Sequence, residues 1–301
     1  MIHHNPLVSI VTINYNNTQV TLELLLSIKE CTYKNLHVIV VDNGSEENPA
    51  TIISEKFPDV VVVRSDVNLG FSAGNNLGCK HAKGEYIFFV NNDTLFAENV
   101  IEELIKPFSE IEHLAIVSPK MIYYESPNII QYAGSTEINS LTGRNEVVGK
   151  GQVDNDRLFK SGLTFFAHGA AMIIKKSILN EIGGFPDIFF LYYEEIDYSY
   201  KVRKAGYKIY YNNKAVIYHR VSYSVGEDSS LKTFYMTRNR ILFMQRNFSS
   251  VRFGIFVLFL VLFTIPKNSI IYILRGRFDL LRSFYNALSW NLKTSKSVKM
   301  G

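Results

Sequence analysis

The chain has 301 residues, 47% of them hydrophobic and 20% charged, which suits one large or two small globular domains and excludes a disordered or fibrous chain. Its two cysteines, Cys31 and Cys79, give neither a disulfide framework nor a metal-ligand spacing, and are expected in the core of a protein from a reducing compartment. The net charge of +4 conceals a division: from Leu231 onward twelve basic residues face one acid, Asp279, while residues 1–230 sum to about −7, so the tail is expected to meet an anionic surface.

Met1 to Pro6 is polar and lacks the apolar core of a signal peptide. Leu7–Ile13, rich in β-branched residues, reads as a strand that ends at Asn14-Tyr15-Asn16-Asn17. Thr18 is placed to cap a helix running to about Cys31, with Val20, Leu24 and Ile28 on one face. Strand Leu36–Val41 follows, then the turn Asp42-Asn43-Gly44-Ser45, a weaker helix near Pro49–Phe57, strand Val60–Val63 and helix Phe71–Ala82. The run Tyr86–Val90 predicts a strand buried on both faces, entering Asn91-Asn92-Asp93-Thr94 without a turn glycine. Helix Ala97–Glu110 and strand Leu114–Val117 complete the alternation.

Strand and helix alternating about five times predict an α/β fold, a mostly parallel central sheet with helices on both faces. Ligands of such sheets bind at the carboxyl edge of the strands. The loops there, Asn14-Tyr15-Asn16, Asp42-Asn43-Gly44-Ser45, Asn68-Leu69-Gly70 and Asn91-Asn92-Asp93, are all polar. Asp93 suits a hard divalent cation, which prefers oxygen donors; alone, the same residues also fit an Asx turn. Neither G-x-G-x-x-G nor the P-loop pattern is present, so a Rossmann dehydrogenase and a P-loop enzyme are excluded. Asp42 is placed either to accept hydrogen bonds from a base or ribose or to cap the turn before Gly44.

Residues 119–165 lack a long amphipathic helix and read as an excursion over the cleft mouth. Ala167–Ile174 returns to a buried strand with small residues at its start. In the aromatic run Phe189–Tyr193, followed by Glu194, Glu195 and Asp197, the carboxylates open a helix through Ala205. They fit either a tolerated acidic first turn or a general base raised by its aromatic flanks. Strands Lys208–Tyr211 and Ala215–Tyr218 lead to His219, whose imidazole would complement Asp93 on a metal.

Together these segments resemble the family 2 glycosyltransferases of GT-A fold, in particular their rhamnosyltransferase-like branch. The matching stretches are Val8–Asn16, Val40–Ser45, Asn68–Asn76, Phe89–Thr94, Gly169–Met172, Gly183–Phe185, Phe190–Asp197 and His219, spread over Val8 to Ser224. The resemblance implies an inverting, single-sugar transfer from a nucleotide-diphosphate sugar, with rhamnose the sugar of that branch and a cell-surface glycan or lipid-linked acceptor. It places Asn14, Tyr15, Asp42, Asn68, Asn75, Asn91 and Asn92 at the nucleotide-sugar, and Asp93 and His219 on Mn²⁺ or Mg²⁺. Glu195 falls at the base position; Glu194 and Asp197 remain open for the same role. Two departures stand out: Asn91 replaces the first Asp of D-x-D, and Glu195 replaces the usual Asp base. The processive Q-x-x-R-W pattern is absent, Trp290 lying in the tail.

The expected division is a catalytic domain over 1–230, with its nucleotide-sugar half to about 118, and a basic, apolar helical tail over 231–301. Phe253–Ile265 is a 13-residue apolar run between Arg252 and Lys267, short of the roughly 20 residues a spanning helix needs. Pro266 is expected to interrupt it before Ile270–Leu274. Apolar and basic blocks in alternation suit helices in a membrane interface, so the protein is expected in the cytoplasm, peripheral on the inner face of the cell membrane. A helical pair on the catalytic domain or a homodimer contact is the alternative; nucleic acid is disfavoured by the apolar run. A sugar nucleotidyltransferase would share the sheet but want a Gly-rich basic loop where Asn14-Tyr15-Asn16 stands. A non-catalytic sugar-nucleotide-binding protein is the remaining alternative.

Overall fold

The computed structural model describes residues 5–220 and 229–294. Residues 1–4, 221–228 and 295–301 fall outside it, and with them most of the polar N-terminal stretch, positions 221–224 of the matched span, and Lys296 and Lys299 of the basic tail. The described chain forms two compact units, one of residues 5–136, 147–190 and 194–220, the other of 137–146, 191–193 and 229–294. The second therefore takes in two short pieces from the middle of the chain.

In the first unit the alternation is realised as β1 (Val8–Asn14), α1 (Thr18–Glu30), β2 (Leu36–Asn43), α2 (Ala50–Lys56), β3 (Val61–Ser65), α3 (Gly70–His81) and β4 (Tyr86–Val90). There follow β5 (Thr94–Phe96), α4 (Val100–Ile105), α5 (Pro107–Glu110), β6 (Leu114–Tyr123), β7 (Ile130–Tyr132), β8 (Gly162–Leu163), β9 (Ala171–Lys175), α6 (Lys176–Ile182), α7 (Glu194–Lys204) and β10 (Lys208–His219). One sheet joins all the strands in the order β3-β2-β1-β4-β9-β6-β10-β5, with β7 on β6 and β8 on β10. Strands β1 to β4, β6 and β10 run one way, and β5, β7, β8 and β9 run against them. The ends of β1, β2, β4 and β10 thus share an edge with the start of β9.

Both faces of β4 are buried, as its unbroken apolar run requires. Phe88 and Val90 pack with α1 and α4, through residues such as Leu24 and Leu104. Ile87 and Phe89 face Ile178 and Leu179 of α6 and Tyr198 and Val202 of α7. Each such side chain contributes on the order of 1.5–3 kcal/mol by leaving water, so the strand that delivers Asn91-Asn92-Asp93 is firmly anchored on both faces.

Several expected boundaries move. Asn17, not Thr18, holds the N-cap position of α1, and its side chain makes no cap hydrogen bond. The helix expected over Ala97–Glu110 starts at Val100 and divides before Pro107, whose ring cannot follow a helical turn. The two strands expected over 208–218 are one, interrupted by a register shift between Asn212 and Val216. Strand β5, too short to leave a period in the sequence, pairs antiparallel with β10 and sets Thr94 opposite His219.

The second unit is built on α8 (Ser230–Asn247) and α11 (Phe278–Thr294), joined by α9 (Ser250–Phe259), a π turn over Leu260–Thr264 and α10 (Ile265–Leu274). Arg238 stacks 4.6 Å above the Trp290 ring and 4.8 Å above Tyr235. Asn291 donates to the Arg238 carbonyl. Pro266 does not interrupt the helix: Ser250–Leu274 is continuous over 25 residues, because the wider π turn ahead of it relaxes the ladder the ring would otherwise break. The helix is about 37 Å long, and by length and composition it could cross a membrane, so the 13-residue run understates it.

Candidate active site

At the end of β1, Asn14 is fully buried and serves as a junction. Its amide donates to Asp42 Oδ1 at 3.3 Å and Ser45 Oγ at 3.2 Å, while its carbonyl accepts from Thr21 Oγ1 at 2.8 Å. Asn92 donates to the same Thr21 hydroxyl at 3.0 Å, tying the β4 loop to the β1 loop. Asn16, with φ of +52°, accepts from the Glu46 N–H. That turn sends Tyr15 out to the mouth, 45% exposed.

Asp42 is completely buried, an expensive place for a carboxylate. Parallel register sets it directly opposite Arg64 on β3, whose Nη1 lies 3.1 Å from Oδ2. That contact is an ion pair out of line for a hydrogen bond, and Oδ2 has no hydrogen-bond donor among the described residues. Arg64 was not singled out in the sequence, where it ends an ordinary edge strand.

Asn43 and Asn68 form a second clasp. Asn43 donates to Asn68 Oδ1 at 3.0 Å and to the Gly70 carbonyl, and accepts from the Leu69 N–H. Gly44 (φ +79°) and Gly70 (φ +78°) make these turns possible: a Cβ on Gly44 would sit 2.5 Å from the Val67 backbone, and one on Gly70 2.5 Å from the Phe190 carbonyl oxygen. Asn75 is buried within α3 and bonds back to the Phe71 carbonyl, whereas Asn76 reaches out to the Phe185 backbone and to Asp187. Asn43 and Asn76 thus brace the loops, a role the sequence did not assign to them.

Asp93 and His219, 126 positions apart, meet: Oδ1 lies 3.0 Å from Nε2. Gln131 Oε1 faces the other ring nitrogen at 2.8 Å; with the ring proton on Nδ1 for that bond, Nε2 turns a lone pair toward the Asp93 carboxylate. Two acceptors so opposed call for a proton or a cation between them. A carboxylate oxygen and an imidazole nitrogen are donors that both ions accept, so this pair fits Mg²⁺ or Mn²⁺. Among the described residues no group of three or more His, Cys, Asp or Glu gathers as a full metal cage. Such a cation would therefore take its other ligands from phosphate and water, as Mg²⁺ commonly does.

The segment before β9 links this pair to the carboxylates of α7. Asn91 N–H donates to the Ala170 carbonyl, and Ala170 N–H to His168 Nδ1. Burial and neighbouring His219 push His168 down to about 3, so it stays neutral with its proton on Nε2. Its ring stands edge-on to Tyr132 and His219. Gly169 lies against Glu195: a Cβ there would be 3.5 Å from Glu195 Cβ and Cγ. Glu194 and Asp197 are buried, and Glu195 is half-buried. Burial first, then the Glu195 charge, push Glu194 well above the ordinary carboxyl range. Phe190, Tyr192 and Tyr193, just ahead of them in the chain, all lie in the left-handed region, with φ of +56°, +67° and +73°. Such bulky residues at positive φ store on the order of 1–3 kcal/mol each. In the second unit, the Asn239 amide holds the Leu191 and Tyr192 carbonyls at 2.8 and 2.7 Å.

Of the residues expected at the site, Asn14, Asp42 and Asn92 share one network and Asp93 and His219 another. Glu195 adjoins the second through Gly169, two residues ahead of the start of β9. Asn68 belongs to the turn clasp, and Asn75 faces its own helix.

Comparison with known proteins gives a match to the family model described as glycosyl transferase family 2 over residues 9–183. An uncharacterized glycosyltransferase of Rickettsia typhi is 27% identical over 218 residues, 72% of this chain and 65% of the relative. The chain thus spans just under two thirds of that relative. An N-acetylglucosaminyl-diphospho-decaprenol L-rhamnosyltransferase of Mycobacterium tuberculosis is 22% identical over 241 residues, 73% of this chain and 78% of the relative. Among solved structures, a mannosyltransferase from Pyrobaculum calidifontis in complex with GDP-Man and Mn²⁺ aligns over 97% of this chain and 76% of its own, with a TM-score of 0.58 at 17% identity. GalNAc-T7 with UDP, GalNAc and Mn²⁺ aligns over 89% of this chain and 58% of its own, with a TM-score of 0.61 at 15% identity. The expected GT-A fold is the fold found.

Proposed function

This chain belongs to glycosyl transferase family 2, and from that membership we propose that it moves a single sugar from a nucleotide-diphosphate donor to a hydroxyl of a cell-surface glycan or lipid-linked acceptor, with inversion. The observation that carries the reading is the Asp93–His219 pair, 3.0 Å apart, on the sheet edge that also bears Asp42. The mycobacterial relative, a rhamnosyltransferase, favours rhamnose as the sugar.

Asp42, whose Oδ2 has no hydrogen-bond donor among the described residues, accepts from the nucleobase or ribose, and Arg64 offsets its charge. Tyr15, exposed at the mouth, supplies a ring on which the base stacks. Asn91 and Asn92 position the donor without adding negative charge beside its diphosphate. Asp93 and His219 are the residues that would hold Mn²⁺ or Mg²⁺, which supplies charge compensation at the leaving diphosphate. Glu195 is the general base. It is less buried than Glu194 and Asp197, and Gly169 beside it leaves room for the acceptor. Glu195 takes the hydroxyl proton, the hydroxyl oxygen bonds to the anomeric carbon, and the carbon–oxygen bond to the diphosphate breaks with its electron pair leaving on phosphate. Burial raises Glu194, which lessens the negative charge beside Glu195.

The protein works at the inner face of the cell membrane. The helix Ser250–Leu274 supports this, since only 11% of its apolar window is covered within the protein; lipid, not a second copy, is the partner assigned to it.

The test is to incubate the protein with a panel of nucleotide sugars and Mn²⁺ or Mg²⁺ and follow released nucleotide and the anomeric configuration of the product. Turnover of one donor, lost on chelation, is expected. Nucleotide binding without turnover would overturn the enzyme reading. Pyrophosphate release from a nucleoside triphosphate and a sugar phosphate would instead identify a nucleotidyltransferase.

A further inference from the structure

Arg240 lies in α8 with only 4% of its surface exposed, and its Nε has no hydrogen-bond partner among the described residues. A buried cation is normally paired with a carboxylate, because removing it from water costs several kcal/mol. Here the groups acting on it are another cation, Arg144, and the phenols of Tyr193 and Tyr272. Burial first, and then Arg144, push the guanidinium down to about 10. Asp279, the one acid from Leu231 onward, is taken by Arg277 at 2.8 Å and by the Ser230 hydroxyl.

The surroundings are built. The turn Asn139–Arg144 closes on itself, Asn139 N–H to the Arg144 carbonyl at 2.9 Å and Gly143 N–H to the Asn139 carbonyl at 2.8 Å. It rests on the Arg240 stem so closely that a Cβ on Gly143 would lie 3.1 Å from Arg240 Cγ and 3.1 Å from Phe256 Cε2. Tyr193 donates its hydroxyl to the Gly143 carbonyl at 2.9 Å. Phe256 belongs to the helix Ser250–Leu274, whose other face exposes Ile255, Leu258, Leu262, Ile270 and Ile273 at three- and four-residue steps, with a break at Pro266. Arg240, with no carboxylate partner among the described residues, and the exposed Arg144 therefore adjoin a helix that turns hydrocarbon outward.

We propose that Arg240 and Arg144, with Tyr193 and Tyr272, bind the phosphate of a lipid phosphate or diphosphate whose hydrocarbon chain lies along the exposed face of helix Ser250–Leu274. The anion supplies the countercharge that Arg240 lacks among the described residues, and the chain covers the apolar face that the protein leaves bare. A free phosphate would satisfy only the first. The proposal rests on the reading of a lipid-linked acceptor and narrows it to one carrying phosphate.

The test is flotation of the full chain with three vesicle types: phosphatidylcholine alone, with phosphatidic acid, and with phosphatidylglycerol at matched surface charge. Preference for phosphatidic acid over phosphatidylglycerol is expected. R240M and R144Q should each lose about tenfold of it, the weight of a charged hydrogen bond, while R282Q, an equal change of net charge on α11, keeps it. R144Q alters an exposed side chain and folds normally, so it decides the matter even if R240M does not fold. Unchanged preference in R144Q, an equal loss in R282Q, or competition by inorganic pyrophosphate as strong as by the lipid would each overturn the proposal. Donor hydrolysis without vesicles is read separately: its absence from the unaltered protein would sink the transfer reading and leave the vesicle result to judge this site.

Discussion

The two units depart from the usual arrangement of a soluble protein in opposite ways. In the first, charged and polar side chains are buried at the sheet edge but hold one another: Asp42 has Asn14 and Arg64, and Asp93 has His219, itself backed by Gln131. In the second, Arg240 is buried beside another cation, and an apolar helix face is left uncovered. The contrast teaches what each region awaits. A mutually braced network with a few acceptors left open, such as Asp42 Oδ2, suits a bound substrate; an uncompensated charge beside bare hydrocarbon calls for a partner that brings both an anion and a lipid chain.

The largest effect expected lies in the first region. Asp93→Ala should cut donor turnover about 10²–10³-fold, with metal-free nucleotide binding retained; turnover close to that of the unaltered protein would dissolve the pairing with His219. Next, Gly44→Ala combines a positive φ with a Cβ 2.5 Å from the Val67 backbone. It should destabilise the first unit by about 2–4 kcal/mol, measured by denaturant unfolding. In the second unit, Asn239→Ala removes two hydrogen bonds to the strained carbonyls of Leu191 and Tyr192, and a loss of about 2 kcal/mol is expected. If it costs less than a typical surface change, the positive φ angles there are not held by that amide.

The smallest effect concerns pH. Glu194 is raised in the folded state, so the unfolded chain gives up its proton first. Its contribution to stability is therefore complete below about pH 4 and is lost as pH rises through the folded value. Glu194→Gln should flatten that fall and raise the melting temperature at pH 8 by on the order of 2–4 °C. A steeper fall in the variant would reverse the assignment of the protonated carboxyl.

Much of the first region was legible in the sequence because its strands are buried on both faces and its loops carry unlike residue types. The run Tyr86–Val90 followed by three polar residues could hardly be anything but a strand ending at an edge. What was not legible depends on pairing at a distance. Strand β5 has only three residues, too few for a period, yet it is what brings His219 to Asp93. Arg64 looked like any strand-end arginine until register set it opposite Asp42. In the tail, Pro266 read as a stop because the compensating π turn has no sequence signal. Arg240 counted only as one more basic residue of the tail; packing by the turn at Gly143 shows it buried.

The proposed transfer depends on Glu195 as the base that activates the acceptor. The most direct measurement is single-turnover sugar transfer by Glu195→Gln beside the unaltered protein, with donor affinity measured on both. Transfer slowed about 10²–10⁴-fold with donor affinity unchanged is the result predicted; transfer at the unaltered rate would contradict it.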